Sequence, residues 1–319
     1  RDLHSFPTRR SSDLRTSLPD SVVVREVCPR DGFQNVKEFI PTERKLEWID
    51  ALFEAGVAEM EVTSFVSPKA IPQLADAAEV LTETKRRHPA ARLTALVPNA
   101  KGAERALACG ADVLNVVFSA SESHNKANLN RSVAESLSGL DDIARLIEGR
   151  AELSVSIATS FMCPFEGRTD PRRVSELIGI VREKGARSIC LAETIGTCHP
   201  GDFAETLDAV FPALGGIPVF LHIHNTFGMA LLNVREALVR GFDRFDSAAG
   251  GLGGCPYAPG AAGNAATEDL VFYLNGLGIE TGLDPLALVK VARWMRDYGL
   301  GTLGHLVKSR FGQPVGPCC

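Results

Sequence analysis

The stretch Phe220-Leu-His-Ile-His-Asn-Thr-Phe-Gly228 has the pattern of a buried strand that ends in two histidines. Side chains alternate between the two faces of a strand, so His222 and His224 point the same way. Two neutral imidazoles at one strand end supply half of a divalent metal site. The same spacing also occurs in strands whose polar residues are satisfied by neighbours. The rest of the chain has to distinguish these two interpretations.

A glycine-rich segment follows the histidine pair, where residues 250–264 read GGLGGCPYAPGAAGN. Glycine at this density permits positive φ angles and a close approach of the backbone to a ligand. Cys255 lies in the middle of the segment and Asn264 at its end. Because a helical pattern starts at Thr267 and anchors the segment, we interpret it as a functional loop, with a flexible surface loop as the alternative.

Short apolar runs alternate with helical patterns from Ser21 onward. Runs rich in Val and Ile without strict alternation are typical of parallel strands that are covered on both faces. Eight β–α units predict an α/β protein, a (β/α)8 TIM barrel with additional C-terminal helices, although a doubly wound sheet gives the same alternation. The predicted strands are Val22–Cys28, Glu59–Ser64, Arg92–Val97, Val113–Ser119, Leu153–Thr159, Ser188–Glu193, Val219–His224 and Arg244–Ala248. The predicted helices are Thr42–Ala55, Ile71–His88, Asn99–Cys109, Val133–Glu148, Pro171–Lys184, Asp202–Leu214, Leu232–Arg240 and a tail over Pro285–Lys308.

Three segments are expected along the chain. Residues 1–14 lack periodicity and resemble translated sequencing-adapter DNA, so we interpret them as a non-native leader, with an arginine-rich targeting peptide as the alternative. Residues 15–283 form the barrel domain. Residues 284–319 form a C-terminal helical extension, whose final Cys318 and Cys319 are either a redox-active tail or the edge of a truncated gene.

The composition is that of an ordinary globular protein, with 45% apolar and 23% charged residues. A net charge of −5 favours neither nucleic acid nor an anionic membrane surface as a partner. No apolar run approaches the ~20 residues that span a bilayer. The eight cysteines show no short paired spacing, which indicates reduced thiols and a cytoplasmic location.

The barrel hypothesis makes a positional prediction, because active sites of this fold lie at the C-terminal ends of the strands. Arg30-Asp31-Gly32 follows the first predicted strand, Glu61 lies near the end of the second, and Glu193 ends the sixth. The histidine pair ends the seventh strand and the glycine-rich segment follows the eighth. Each feature alone is also consistent with a cap or a turn, but their common location favours one site.

Four motifs resemble those of 3-hydroxy-3-methylglutaryl-CoA lyases, which belong to the metal-dependent lyase/synthase group of TIM barrels. The motifs are Val24-Arg-Glu-Val-Cys-Pro-Arg-Asp-Gly-Phe-Gln-Asn35, Glu61-Val-Thr-Ser-Phe-Val-Ser-Pro-Lys69, His222-Ile-His-Asn-Thr-Phe-Gly228 and Gly251-Leu-Gly-Gly-Cys-Pro-Tyr-Ala-Pro-Gly260. The resemblance runs from about Val22 to Leu283. Related isopropylmalate and homocitrate synthases share the Arg-Asp-Gly and His-x-His features but lack the cysteine loop.

The resemblance implies both metal ligands and catalytic residues. The implied ligands are Asp31, His222, His224 and Asn264, and this donor set suits Mg²⁺ or Mn²⁺ better than Zn²⁺. The implied catalytic residues are Arg30 at the thioester carbonyl, Glu61, Cys255 in proton transfer, and Glu193. At Glu193 the family usually has Asp, and at Asn225 it also usually has Asp.

The implied reaction is cleavage of 3-hydroxy-3-methylglutaryl-CoA to acetyl-CoA and acetoacetate by metal-assisted retro-Claisen chemistry. The implied partners are an acyl-CoA thioester and a second copy of the chain in a homodimer, with no nucleic acid and no membrane. Alternatives are the same chemistry on another branched 3-hydroxyacyl-CoA, a Claisen-type synthase acting on a 2-keto acid, and a catalytically silent barrel that serves as a binding protein.

Overall fold

A computed structural model describes residues 18–254 and 263–312. Eight parallel strands, numbered β1 to β8 along the chain, form a closed barrel in which each strand pairs with its neighbours in sequence and β8 pairs with β1. This closure confirms the predicted TIM barrel and excludes the doubly wound sheet. The strands are β1 Val23–Glu26, β2 Glu59–Ser64, β3 Arg92–Leu96, β4 Val113–Ser119, β5 Glu152–Ala158, β6 Ser188–Glu193, β7 Val219–Ile223 and β8 Arg244–Ser247.

Helices surround the barrel and follow the strands in turn. They are α1 Thr42–Glu54, α2 Ala77–Arg87, α3 Ala100–Ala108, α4 Glu122–Leu129, α5 Val133–Ile147, α6 Pro171–Glu183, α7 Pro200–Leu214, α8 Ala230–Leu238, α9 Thr267–Gly276, α10 Pro285–Asp297 and α11 His305–Lys308. Within the described ranges, none of these helices combines the length and apolar character that crossing a membrane requires.

Three short elements escaped the sequence analysis. Helix α4 reads ESHNKANL, which has no apolar stripe to mark it, and it begins because the Ser121 hydroxyl accepts a hydrogen bond from the His124 amide at 3.1 Å. A two-stranded hairpin pairs Met162–Cys163 with Gly167–Arg168 just after β5. A single π-helical turn, Cys28–Gly32, follows β1. All three lie at the C-terminal ends of strands, where the candidate site is expected.

Strand β7 shows why the sequence pattern of this barrel lacks strict alternation. All five of its residues are buried, because one face packs inside the barrel and the other packs against helices. His222 lies on the inner face, and the alternate residues Leu221 and Ile223 are almost completely shielded. The strand therefore directs the His222 imidazole into the barrel, while Leu221 and Ile223 pack against the surrounding helices.

The last two helices return to the barrel beside α1. The Trp48 ring on α1 meets Trp294 of α10 edge-on at 6.1 Å and Tyr298 at 5.2 Å. Beyond α10 the chain reaches the start of the glycine-rich segment, where the Leu303 amide donates to the Gly250 carbonyl at 2.7 Å. The C-terminal helices thus pack against the base of that segment.

Candidate active site

Asp31, His222 and His224 lie together at the C-terminal end of the barrel. The two Nε2 atoms of the imidazoles are 3.2 Å apart, and His222 Nε2 is 4.0 Å from Asp31 Oδ2. One ligand atom from each of the three residues lies within 4.8 Å of the others, and all three residues are buried. The structure therefore brings together three of the four predicted metal ligands.

A buried ion pair fixes the orientation of His222. The Asp246 carboxylate receives two hydrogen bonds from the Arg25 guanidinium, at 2.8 and 2.9 Å, and its Oδ2 lies 3.3 Å from His222 Nδ1. Burial alone would raise the pKa of Asp246, but Arg25 and His222 hold that pKa well below its ordinary value. The carboxylate therefore accepts a hydrogen bond from His222 Nδ1, and the Nε2 atom of the ring faces the cluster.

His224 is a neutral imidazole. Burial and the neighbouring His222 lower the pKa of His224 to about 4. Its Nε2 lone pair is therefore available at neutral pH, which is what a metal-binding imidazole requires. Sequence analysis found both histidines but missed Asp246, whose only signal was a carboxylate near the end of the last predicted strand.

Asn264 joins this cluster through its amide group. Asn264 Nδ2 donates to Asp31 Oδ2 at 2.6 Å and to the Leu252 carbonyl at 2.9 Å. The buried Asn264 Oδ1 has no hydrogen-bond partner among the described residues. Rotating the Asn264 side-chain amide by half a turn exchanges its Oδ1 and Nδ2 atoms. In that orientation the amide oxygen and the Asp31 carboxylate face the same point in the cluster. A divalent ion would satisfy that oxygen, but the ligand role of Asn264 stays a prediction.

The donor set fits a hard divalent ion. Burial would raise the pKa of Asp31, yet Arg30, the two imidazoles and the Asn264 amide keep that pKa below its ordinary value, so the carboxylate is ionised. One carboxylate, two imidazoles and an amide oxygen suit Mg²⁺ or Mn²⁺ and leave positions for substrate oxygens. The described residues thus include a possible metal site, whose ion they do not specify.

Gly253 covers one side of this cluster with bare backbone. A Cβ atom placed there would lie 2.4 Å from Asn264 Nδ2 and 2.9 Å from Asp31 Oδ2, and the φ angle of Gly253 is +115°. Both the space and the backbone conformation therefore require glycine. Glycine is needed at this position because the loop approaches the proposed ligands so closely.

Arg30 lies beside the cluster and is held by two carboxylates. Its Nε donates to Glu61 Oε2 and its Nη1 to Asp31 Oδ1. The other oxygen of Glu61 accepts from Asn115 Nδ2 at 2.7 Å, and Asn115 Oδ1 accepts from the Ser156 hydroxyl at 2.9 Å. Arg30 Nη2 makes no hydrogen bond to any residue that the structure describes. The guanidinium is thus fixed on one side and has a donor to offer on the other.

A cavity of about 490 Å³ opens above these groups. Arg30, Asp31, His222 and His224 line its polar part. The cavity is also lined by the apolar residues Val66, Ala70, Ile71, Leu96, Val117 and Leu129. The cavity therefore has room for an acyl group beside the charged cluster, and it offers both polar and apolar contacts.

His124 is a second residue of this cavity that sequence analysis missed. It belongs to the unpredicted helix α4, and its Nδ1 lies 2.6 Å from the Ser119 hydroxyl. Burial lowers the pKa of His124, so the ring is neutral at physiological pH. A polar helix without an apolar stripe gave no sequence signal that this histidine would reach the site.

Glu193 does not line this cavity. Along β6, Cys190 and Ala192 face the cavity, so Glu193 faces the opposite side. Its carboxylate accepts hydrogen bonds from the backbone amides of residues 196, 197 and 198. The geometry therefore favours a role in holding the loop after β6, and the predicted catalytic role of Glu193 stays a prediction. The other departure, Asn225, accepts from the Ala230 amide at 3.1 Å and so caps the following helix.

Cys255 lies outside the described residues, so its predicted role in proton transfer stays a prediction. The neighbouring Gly254 lines the cavity, and its carbonyl accepts from Asn35 Nδ2 at 2.9 Å. The described part of the loop therefore runs to the edge of the cavity.

The fold and cluster define a TIM barrel with a potential divalent-metal site at its strand ends. The family model described as HMGL-like matches residues 21–295, so the chain belongs to the HMGL-like family, as the sequence motifs predicted. The mitochondrial hydroxymethylglutaryl-CoA lyase of Rattus norvegicus is 42% identical over 313 residues, which cover 98% of this chain and 94% of that protein. The cytoplasmic 3-hydroxy-3-methylglutaryl-CoA lyase of Rattus norvegicus is 40% identical over 282 residues, with coverages of 87% and 81%.

A solved structure agrees with these relatives. An HMG-CoA lyase from Acinetobacter baumannii, in complex with coenzyme A and 3-methylmalate, superposes with a TM-score of 0.89. It is 40% identical, and the match covers 94% of this chain and 98% of that one. The likeness therefore extends over the whole barrel.

Two further buried carboxylates lie below the glycine-rich loop. Burial raises the pKa of Glu26 to about 7 and that of Glu268 to about 8, although hydrogen bonds oppose the shift in both. Glu268 Oε2 accepts from the Gly250 amide at 3.0 Å, and its buried Oε1 has no hydrogen-bond partner among the described residues. The fold therefore favours the protonated form of Glu268.

We expect Glu268→Gln to become more stable relative to the wild type as the pH rises. The unfolded carboxyl ionises near its ordinary pKa of 4.5, whereas the folded one keeps its proton up to about pH 8, so the wild type loses stability between these values. Unfolding free energies from urea titrations at pH 5 and pH 8.5 should shift by about 1 kcal/mol or more in favour of the variant. The other titrating groups are common to both proteins and cancel. An equal difference at both pH values would contradict the expectation.

Proposed function

We propose that this protein cleaves 3-hydroxy-3-methylglutaryl-CoA to acetyl-CoA and acetoacetate. The observation that carries the proposal is the Arg30 guanidinium fixed beside the Asp31–His222–His224 cluster at the mouth of a cavity. Relatives about 40% identical over most of the chain are named as lyases of this substrate. The relative solved with coenzyme A supports a CoA thioester as the substrate.

The reaction is a retro-Claisen cleavage. The C3 hydroxyl of the substrate loses its proton to water, the C2–C3 bond breaks, and the electron pair of that bond forms the enolate of the acetyl thioester. C2 then takes up a proton to give acetyl-CoA, while C3 becomes the ketone carbon of acetoacetate. A divalent ion held by Asp31, His222, His224 and Asn264 would supply Lewis acidity toward the C3 hydroxyl.

The protein groups act on the other charges of the reaction. The Arg30 Nη2, which has no hydrogen-bond partner among the described residues, stabilises the enolate oxygen. Glu61 fixes the guanidinium so that no reorganisation is needed when that charge develops. Cys255 is the candidate donor of the proton to C2. The apolar cavity wall accommodates the methyl-bearing carbon skeleton.

Several finer assignments belong to the same proposal. We propose Mg²⁺ or Mn²⁺ as the ion, on the basis of the oxygen and imidazole donors. We also propose that the protein acts as a homodimer. A cytoplasmic location stays a prediction, since relatives include proteins named cytoplasmic and mitochondrial.

An assay of acetyl-CoA release tests the reaction. We expect the purified protein with Mg²⁺ or Mn²⁺ to release acetyl-CoA from 3-hydroxy-3-methylglutaryl-CoA faster than from other branched 3-hydroxyacyl-CoAs. A faster reaction with a longer branched thioester would change the substrate but keep the chemistry. Condensation of acetyl-CoA with a 2-keto acid would instead identify a synthase, and no turnover in either direction would indicate a binding protein.

Metal removal tests the cluster. We expect EDTA to abolish activity, Mg²⁺ or Mn²⁺ to restore it, and His222→Ala to weaken Mn²⁺ binding by about 100-fold or more, since even indirect partners of metal ligands contribute 10–100-fold. Calorimetry of the metal-free protein measures this affinity. The matched control is His88→Ala, because His88 contacts Asp50 on the helical layer, away from the cluster. Full activity of the metal-free protein would contradict the proposal.

Arg30→Gln tests the oxyanion contact. We expect turnover to fall roughly 100-fold or more, because a fixed guanidinium beside a developing oxyanion contributes about 3 kcal/mol to the transition state. Arg30→Lys keeps the charge but loses the planar fork, so it should recover only part of the rate. Metal content, measured on the same samples, should stay constant. Turnover near that of the wild type in Arg30→Gln would remove this residue from the mechanism.

A further inference from the structure

The candidate site is built from segments that are distant in sequence. The turn Cys28–Gly32 carries Arg30 and Asp31, whereas the glycine-rich loop begins within the turn Ala249–Gly251 and ends at Asn264. The relative position of these segments sets the distance between Asp31 and Asn264, whose side chains are 2.6 Å apart. Some interaction below the site has to hold the segments in register.

Glu26 contacts all of these segments from below. It is completely buried at the end of β1, and its Oε1 accepts from the Cys28 amide at 2.8 Å and from the Ala249 amide at 3.0 Å. The Thr267 hydroxyl donates to its Oε2 at 2.7 Å. Thr267 stands just after the far end of the loop, and its hydroxyl also lies 2.9 Å from that of Ser247 on β8. One carboxylate therefore connects the Arg30–Asp31 turn to both ends of the glycine loop.

We propose that Glu26 is a positioning residue that sets the distance between the Arg30–Asp31 turn and the loop bearing Asn264. The inference rests on the proposed function, since it assigns a task to a residue that touches neither substrate nor ion. It also explains why a carboxylate is tolerated at a position with no exposure: its two oxygens are both occupied by donors from the segments that must be aligned.

The alternative is that Glu26 contributes to stability alone. Removing its carboxylate leaves the buried amides of Cys28 and Ala249 without an acceptor, which destabilises any fold. A positioning role predicts an additional effect. Without Glu26, Asp31 on the turn and Asn264 on the loop move apart. Metal affinity then falls by more than the loss of stability explains, because small displacements in a fixed site are costly.

Glu268 provides the matched control. It is a second fully buried carboxylate, adjacent to Thr267 in sequence, and it accepts from the Gly250 amide. It makes no hydrogen bond to the turn Cys28–Gly32 among the described residues, so it holds only the loop side. A substitution of Glu268 removes a buried carboxylate without disturbing the link between the turn Cys28–Gly32 and the glycine-rich loop.

The experiment compares Mn²⁺ affinity and thermal stability in Glu26→Ala, Glu26→Gln and Glu268→Gln. Calorimetry or Mn²⁺ electron paramagnetic resonance on the metal-free proteins should give an affinity about tenfold or more below the wild type for Glu26→Ala. Glu26→Gln should recover much of that loss, because its amide oxygen still accepts from the two backbone amides. Glu268→Gln should keep the affinity of the wild type. Unchanged Mn²⁺ affinity in Glu26→Ala, or an equal loss in Glu26→Ala and Glu268→Gln, would overturn the inference.

Thr267→Val keeps the inference testable if Glu26→Ala does not fold. It removes the third contact with Glu26 while preserving the shape of a buried side chain, and it should weaken Mn²⁺ binding in a folded protein. Full Mn²⁺ affinity in a folded Thr267→Val variant would again overturn the inference. Lyase activity separates the two proposals. A wild-type protein that binds Mn²⁺ but releases no acetyl-CoA refutes the function, whereas the Glu26 inference is judged on metal affinity.

Discussion

The buried ion pair between Arg25 and Asp246 connects the closure of the barrel to the chemistry of its mouth. The two residues are register partners across the seam where the last strand meets the first, and their side chains are 2% and 4% exposed. Breaking such a pair leaves a charge in the interior without compensation. Asp246 also accepts a hydrogen bond from His222 Nδ1. The orientation of that imidazole therefore depends on closure of the seam.

The charges at the mouth alternate in sign along one chain of contacts. Glu61 holds Arg30, Arg30 holds Asp31, and Asp31 faces the two buried imidazoles of His222 and His224. Burial raises the pKa of Asp31, but Arg30 and the imidazoles lower that pKa below its ordinary value, so the carboxylate is ionised. The same arrangement leaves one guanidinium donor and two imidazole lone pairs directed at the cavity.

The fold could be predicted because its determinants are local. Apolar runs of strand length separated by helices with terminal glycines specify a parallel α/β architecture, and no predicted strand end is more than two residues from the observed one. The positions of Asp31 and the two histidines followed from the rule that sites lie at strand ends.

Contacts between distant strands could not be predicted in this way. Asp246 and Asn115 resemble ordinary polar strand residues until closure of the barrel brings them to His222 and Glu61. The direction of Glu193 depends on strand phase, which a run of buried residues without alternation does not reveal.

The edge-on contact between Trp48 and Trp294 has a spectroscopic consequence. These are the only two tryptophans in the sequence, one fully buried on α1 and the other 38% exposed on α10. The segment that follows α10 is hydrogen-bonded to Gly250, so the C-terminal helices and the base of the glycine loop share contacts. Tryptophan fluorescence therefore originates entirely from the junction between the barrel and its C-terminal helices, and it reports undocking of that junction without any attached label.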